Sequence, residues 1–501
     1  MEKKRKRKKE NRNVYSPLKM TRELKQLGEK NSKRIIVLTY FCVLLLVLIL
    51  CFLYRLRPVF VGIALFYWIL SVPQFIVSGK RGRYERKRFE DANAYMVQMS
   101  QSFVSNKNIY KALKETENTF PNGKMKDIVS SAIHHIDEHM DTDVRKAERD
   151  ALELVEAEYG CEKMHRLHGF LYTAETRGGK CDVEFELLEK NRIIWEKTVM
   201  DYRNRLNFAR IGVTVEFALL IVICAFMLSR FPDYISINGS TVVQILNTIQ
   251  IICLGMIFKH VDRRMSLSLL YSPKEMTKEE ADKAFLYLKN YVPLKELVKN
   301  IPYIVAAAVI AVMIFMVSRS TIGIIVGIVL VGLALSKHIL AYYMTLYKIK
   351  AEIKKCFPRW LFDLILLLQN ESVVMAVMKT QKNAPAVMKE ELSRICELLS
   401  RNPNSADAFM SFFADFQIPE IENTMRRLYS MSIGTGGKGE MTVIIDSNME
   451  MLSEAEKNAF KEKSDMTVVY TYLPMVPVAI SLMGYCIILM ITVFDHLLTR
   501  I

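Results

Sequence analysis

At 501 residues, 51% apolar and with a mean hydropathy of +0.13, the chain has room for several domains and is more apolar than an ordinary soluble protein. Its formal net charge of +16 is unevenly placed: residues 1–34 hold fourteen Lys/Arg against four Asp/Glu, a surplus of +10. A nucleic-acid module carries its cations on a folded recognition surface, so this distribution argues against nucleic acid and for a topology signal beside a membrane, with lipid head groups in reach.

After the basic tail (1–34), seven stretches have the roughly 20 mainly apolar residues that a bilayer-crossing helix needs. They are 35–54, 58–78, 209–229, 241–258, 302–318, 321–344 and 469–494. They divide the chain into a transmembrane hairpin (35–78), a polar region (80–208), two spans (209–258), a linker (259–301), a second hairpin (302–344), a second polar region (345–468) and a last span (469–494). The cationic tail places the N-terminus in the cytoplasm. Alternation then puts both polar regions and the linker on the same side, and the C-terminus outside. The linker carries nine Lys/Arg and residues 231–240 carry none, in keeping with that orientation. No small-residue cleavage site follows the first span, so no secretory signal peptide is expected. The nine cysteines form no C-x-x-C pair, which indicates neither a zinc site nor a disulfide framework.

Both polar regions are rich in helix formers and lack the alternation that strands require. Apolar residues recur three and four apart, as at Leu152, Val155, Tyr159, Leu167 and Leu171. Each region predicts an antiparallel bundle of about six helices, making the chain an all-α integral membrane protein. Asn106 and Asn370 are expected helix stops in the left-handed conformation, and Pro121 and Pro385 suit new first turns. The helix from about 180 to 208 has few breakers, which predicts one rod running into the following span. The plan is duplicated. Asn106, Ala112, Thr116 and Pro121 return 264 positions later as Asn370, Ala376, Thr380 and Pro385, and Gly178-Gly179-Lys180 returns 258 later as Gly436-Gly437-Lys438.

Few residues suggest chemistry. His134, His135 and His139 form the densest histidine cluster, and two of them share a helix face that a metal could use; an exposed or capping role is expected. The same expectation holds for His165 and His168. The run Gly434 to Gly439 lacks the spacing and the Ser/Thr of a phosphate loop and reads as a turn. Gln244, Asn247 and Gln250 share one helix face, which predicts hydrogen bonds between spans. Glu216 is the one acid well inside a span, a candidate functional group. Gly323 and Gly327 form a small-xxx-small motif for close packing, within the chain or between copies in a homo-oligomer. No catalytic set, metal site or cofactor site emerges, so no enzyme activity is expected.

These residues resemble the F-type platform proteins of type II secretion and type IV pilus systems. The resemblance lies in Ala174-Glu-Thr-Arg-Gly178-Gly179-Lys180 and Ser432-Ile-Gly-Thr-Gly436-Gly437-Lys438, and in Ser105-Asn106 with Lys111-Ala112-Leu113 and Gln369-Asn370 with Met375-Ala376-Val377. The family often has Gly at the break where Asn stands here in both copies. The span order is similar to that of the two separate platform proteins of the tight-adherence (Tad, or Flp) pilus branch, joined end to end at about residues 1–270 and 290–501. The resemblance implies a non-enzymatic platform in the inner membrane. Its cytoplasmic bundles would engage a hexameric secretion ATPase, and its spans would receive pilin or pseudopilin subunits alongside other inner-membrane assembly components. Arg177, Lys180 and Lys438, at the Gly-rich turns, are the candidate ATPase contacts. A transporter or channel with cytoplasmic regulatory bundles, and a membrane scaffold unrelated to secretion, are the competing classes.

Overall fold

The computed structural model of the chain describes residues 20, 23–24, 27, 32–139, 143–178, 182–229, 240–265, 268–270, 275–318, 321–435 and 438–498. Among them are seventeen α-helices, a few 3-10 turns and no strand. In chain order the first helices are α1 (Ser32–Leu53), α2 (Pro58–Asn106), α3 (Ile109–Thr119), α4 (Lys124–Glu138), α5 (Val144–Tyr159), α6 (Glu162–Arg177), α7 (Asp182–Ser229) and α8 (Thr241–Met265). There follow α9 (Lys278–Lys289), α10 (Pro293–Ser318), α11 (Thr321–Leu368), α12 (Val373–Thr380), α13 (Lys389–Arg401), α14 (Ala406–Met410), α15 (Pro419–Ser432), α16 (Lys438–Tyr472) and α17 (Met475–Leu498).

The chain forms two compact units: Met1–Ser272 with Asn458–Ile501, and Pro273–Lys457. The last helix therefore groups with the first unit, although the duplication assigns it to the second copy. Among the described residues, six helices are long and apolar enough to cross a membrane by length and composition: Arg34–Leu53, Pro58–Asn106, Asp182–Ile223, Thr241–Arg263, Pro293–Met316 and Ile324–Leu368. The seventh stretch, Met475–Ile491, is shorter. The expected span 469–494 is interrupted, because α16 stops at Tyr472 and α17 starts at Met475. Pro474 has no N–H to continue the helix.

In the first unit, Pro58 opens α2 from an extended Arg57. This helix does not stop at the apolar boundary near residue 78. It runs 49 residues through Pro73, about 70 Å at 1.5 Å per residue. It ends at Lys107, whose φ of 49° is left-handed. Asn106, expected in that role, stays in the last turn: its carboxamide donates to Ser102 O at 2.8 Å and to Glu115 Oε2 at 2.7 Å. Asn108 then caps α3, accepting from Lys111 N at 2.9 Å. Pro121 lies outside the helices, and α4 starts at Lys124 after Gly123. Asp143 caps α5, and Gly160 (φ 62°) and Gly178 (φ 67°) end α5 and α6 as left-handed or positive-φ glycines. As expected, α7 is one continuous 48-residue rod. The C-terminal part of α2, helices α3 to α6 and the N-terminal part of α7 enclose one core, including Phe89, Met99, Leu113, Val129, Val155 and Trp195. The stripe Leu152, Val155, Tyr159, Leu167 and Leu171 is buried in it. A second core joins the apolar parts of α1, α2, α7, α8 and α17 through Tyr54, Trp68, Ile221, Ile251 and Tyr485. The outer faces of these helices carry exposed Phe41, Phe66, Phe208 and Val222, a surface compatible with a bilayer.

In the second unit, α10 and α11 pack as a hairpin. A Cβ placed on Gly327 would lie 3.0 Å from Ala311 Cβ, so this glycine permits close packing within the chain. The linker is itself structured: α9 begins with a capping box at Thr277 and Glu280. Near it, Glu352 accepts from Met276 N at 2.9 Å, and Arg359 pairs with Glu275 at 3.4 Å. Helix α11 runs through Pro358 to Leu368. Asn370 follows in a turn, and among the described residues of this unit the left-handed ones are Phe413, Gln417 and Gly434. Pro385 precedes a 3-10 turn, Ala386–Met388, that leads into α13. The core between α11 and α15 is aromatic, with Phe357, Trp360, Phe409 and Phe412 almost fully buried.

Candidate functional site

The candidate contacts at the Gly-rich turns are placed by backbone alone. Arg177 is the last residue of α6 and Lys438 the first of α16. Lys180, and Gly436 and Gly437 of the second turn, lie outside the described residues. Glu175, in the same stretch as Arg177, is bonded into the bundle. Its Oε1 accepts from Asn108 Nδ2 at 2.8 Å and from Ile109 N at 3.1 Å, completing the start of α3. The two sequence landmarks of the first bundle, the Asn-containing break and the acidic residue before the glycines, therefore meet at one tip. Glu148 on α5 is buried beside them and hydrogen-bonds to Glu175. Burial, then the charge of Glu175, push the Glu148 carboxyl up to about 7. This tip gains or loses a proton close to neutrality. In the second copy Ile433 stands 258 positions after Glu175, so no acid reaches the start of α12 in that way.

Deeper in the same bundle lies a hydrogen-bonded chain. Tyr95 Oη on α2 donates to His168 Nε2 on α6 at 3.0 Å, and His168 Nδ1 donates to Glu156 Oε1 on α5 at 2.9 Å. His165 Nδ1 reaches the other oxygen of Glu156 at 2.6 Å. Burial holds the His168 imidazole below its ordinary value even though Glu156 favours its charged form. Burial would raise Glu156, but the hydrogen bonds from His168 and His165 outweigh it and hold the carboxyl low. His168 was expected to be exposed; it is only 2% exposed, while His165 is largely solvent-facing. Tyr95 is fully buried, so no substrate atom can approach its oxygen. The chain fixes three helices to one another. Tertiary contact alone brings these residues together, and no spacing in the sequence announces it.

No protein-family model, curated protein or solved structure matches this chain.

The apolar helices hold their own polar seam. On α8, Gln244 Oε1 accepts from Arg57 N at 2.8 Å while its Nε2 donates to Arg55 O at 3.2 Å, which locks the turn between α1 and α2. Asn247 Oδ1 accepts from Tyr485 Oη on α17, and Gln250 Nε2 donates to Tyr54 Oη at 3.2 Å. All three side chains are buried. They tie helices together, as their shared face predicts. Glu216 on α7 is half-buried, and its Oε1 has no hydrogen-bond partner among the described residues.

The histidine cluster sits at the end of α4. His135, Glu138 and His139 each bring a donor atom within 4.8 Å of the others. His139 is the C-cap and donates from Nδ1 to His135 O at 2.9 Å, while His134 pairs with Glu138 at 3.3 Å. The group is surface-facing and capping, with two imidazoles and a carboxylate that match a divalent transition ion in donor type.

Proposed function

We propose that the chain is a membrane assembly platform of a type II secretion or Tad-like type IV pilus machine, coupling a hexameric cytoplasmic ATPase to the insertion of pilin or pseudopilin subunits. The observation that carries this is mechanical. Helices α2 and α7 each run without a break from a buried bundle core into an apolar stretch, and α11 does the same in the second unit. A helix of this length is a stiff connector about 70 Å long, so a displacement applied at a bundle tip is delivered to the apolar end. The duplicated landmarks and the family resemblance of the Gly-rich turns support the same reading. In it both bundles and the basic tail face the cytoplasm, the helices cross the inner membrane, and the chain performs no covalent chemistry of its own. The ATPase engages the tips near Arg177, Lys180 and Lys438.

The test is charge reversal at those three positions in the full-length chain in its source cells. Loss of both ATPase capture and surface filaments, with the platform still in the membrane, is expected; retention of both sinks the assignment. A transporter reading draws on Glu216 and on the buried Asn247 Nδ2, which has no hydrogen-bond partner among the described residues, whereas Gln244, Asn247 Oδ1 and Gln250 Nε2 are bonded within the chain. Solute flux through vesicles holding only this chain would favour that reading instead.

A further inference from the structure

Where the polar parts of α2 and α7 give way to their apolar parts, the first unit has a cavity of about 320 Å³. Its lining carries five cations, Lys80, Arg83, Arg86, Arg203 and Arg210, and one carboxylate, Asp262. Asp262, on α8, is buried and is already used: it accepts from Ser78 Oγ and pairs with Arg210 at 3.5 Å. Glu90, beside the cavity, is shared by Arg86 at 2.6 Å and Arg203 at 3.8 Å. Arg203 also feels the like charge of Arg86. Arg83 is exposed and makes no ion pair or hydrogen bond among the described residues. The opposite wall is apolar, built by Ile35, Phe75, Ile76 and Leu206, and it continues into the helices that are long and apolar enough to cross a membrane.

We infer that this cavity binds the head group of an anionic phospholipid. Excess positive charge next to an apolar wall fits an amphiphile with a phosphate at one end and acyl chains at the other. Arginine forks match phosphate oxygens bidentately, and basic pockets between membrane helices are a known mode of lipid head-group binding. The phosphate sits among Arg83, Arg86 and Arg203, and the chains run along Phe75 and Ile76. Bound there, the lipid bridges α2 and α7 at the level where the rods leave the bundle. The inference rests on the reading that the apolar helices cross a bilayer, and it is independent of which machine the chain serves.

The experiment uses the full-length protein in nanodiscs of phosphatidylglycerol or of phosphatidylcholine, and in detergent with inorganic phosphate. Retained lipid is counted by mass spectrometry and thermal unfolding is followed in parallel. Phosphatidylglycerol is expected to raise the melting temperature by about 3 °C over phosphatidylcholine, and inorganic phosphate alone is expected not to. Arg83→Gln, at an exposed position that cannot disturb the fold, should lower retained phosphatidylglycerol, and adding Arg203→Gln should lower it about tenfold. Arg83→Lys with Arg203→Lys should restore only part of it, because lysine keeps the charge and loses the fork. Equal retention in wild type and Arg83→Gln with Arg203→Gln overturns the site, and a phosphate effect equal to that of the lipid overturns the lipid as ligand. Alkaline carbonate extraction of source membranes separates the two failures. Release of the wild-type chain overturns the bilayer reading itself, whereas a chain that stays embedded yet treats both lipids alike overturns the site alone.

Discussion

Ala112 and Ala376, 264 positions apart, are both fully buried one turn after a capped helix start, at Asn108 in one bundle and Ser372 in the other. Thr116 and Thr380 are likewise buried, and each hydroxyl donates to a backbone carbonyl of its own helix. Beyond that point the bundles part. The first continues with three helices of 15 to 16 residues and fastens the last two of them to α2 with Tyr95, His168 and Glu156. The second breaks the same interval into helices of 13, 5 and 14 residues with 3-10 turns, and fills its centre with Trp360, Phe357 and Phe412. The position matching Tyr95 is Arg359, which turns to Glu275 beside the linker helix. A helix start is a backbone requirement that few residues meet, whereas a core can be filled in several ways so long as its volume is conserved.

The largest expected effect tests the aromatic core. Trp360→Ala empties the centre of the second bundle and should cost about 3–5 kcal/mol. Hydrogen exchange should show lost protection across α11 to α13 while α3 to α6 keep theirs; an equal loss in both bundles would mean that the two cores are not separate. Tyr95→Phe deletes one hydroxyl, leaves His168 Nε2 buried without its donor and should cost about 1–3 kcal/mol. Here the protection lost should be that of α5 and α6, and a variant as stable as wild type would show the chain to be ornamental.

The acid–base behaviour of the bundles should differ as well. Glu148 holds its proton more tightly in the folded state, up to about 7, than in the unfolded chain, so its contribution is full below about pH 4.5 and disappears as pH rises through 7. Glu148→Gln should therefore flatten stability between pH 5 and 8 and gain about 1 kcal/mol at pH 8. His168 acts in the opposite direction. Depressed in the folded state, it contributes fully above about pH 6.5, and that contribution declines as pH falls below it. Melting curves of His168→Gln against pH should lack this acid-side decline. The smallest effect concerns the caps. Asn108→Ala loses both its bond to Lys111 N and its contact with Glu175, and should cost about 1–2 kcal/mol. Ser372→Ala should cost about 0.5 kcal/mol, since Ser372 Oγ stands 3.5 Å from Met375 N. Equal costs would mean that Glu175 contributes nothing to the first cap.

Helicity, the apolar stretches and the α7 rod were legible in the sequence because each depends on local composition or periodicity, whereas the expected starts at Pro121 and Pro385 are not α-helix starts. Other features depend on what a residue meets. Lys107 takes the left-handed position because Asn106 is held by Ser102 and Glu115. The proline at 474 was visible, but the local pattern of an apolar run concealed that it ends a helix there. Tyr95, Glu156 and His168, and likewise Glu148 and Glu175, lie on different helices, so no spacing rule joins them. The grouping of α17 with the first unit follows from side-chain fit, such as Tyr485 on Asn247, which hydropathy does not encode. Of the three tip cations, the structure places two along the backbone and leaves Lys180 outside the described residues.

The amide of Gln244 closes the turn between α1 and α2 across 187 positions of sequence. During synthesis that hairpin is complete long before α8 exists. Until then the Arg57 N–H and the Arg55 carbonyl lack the two bonds that Gln244 gives them. The hairpin's tip therefore gains these two bonds only after the first bundle and α8 have been made. Assembly order is written into one glutamine: a turn between two of the first helices made is among the last to be locked.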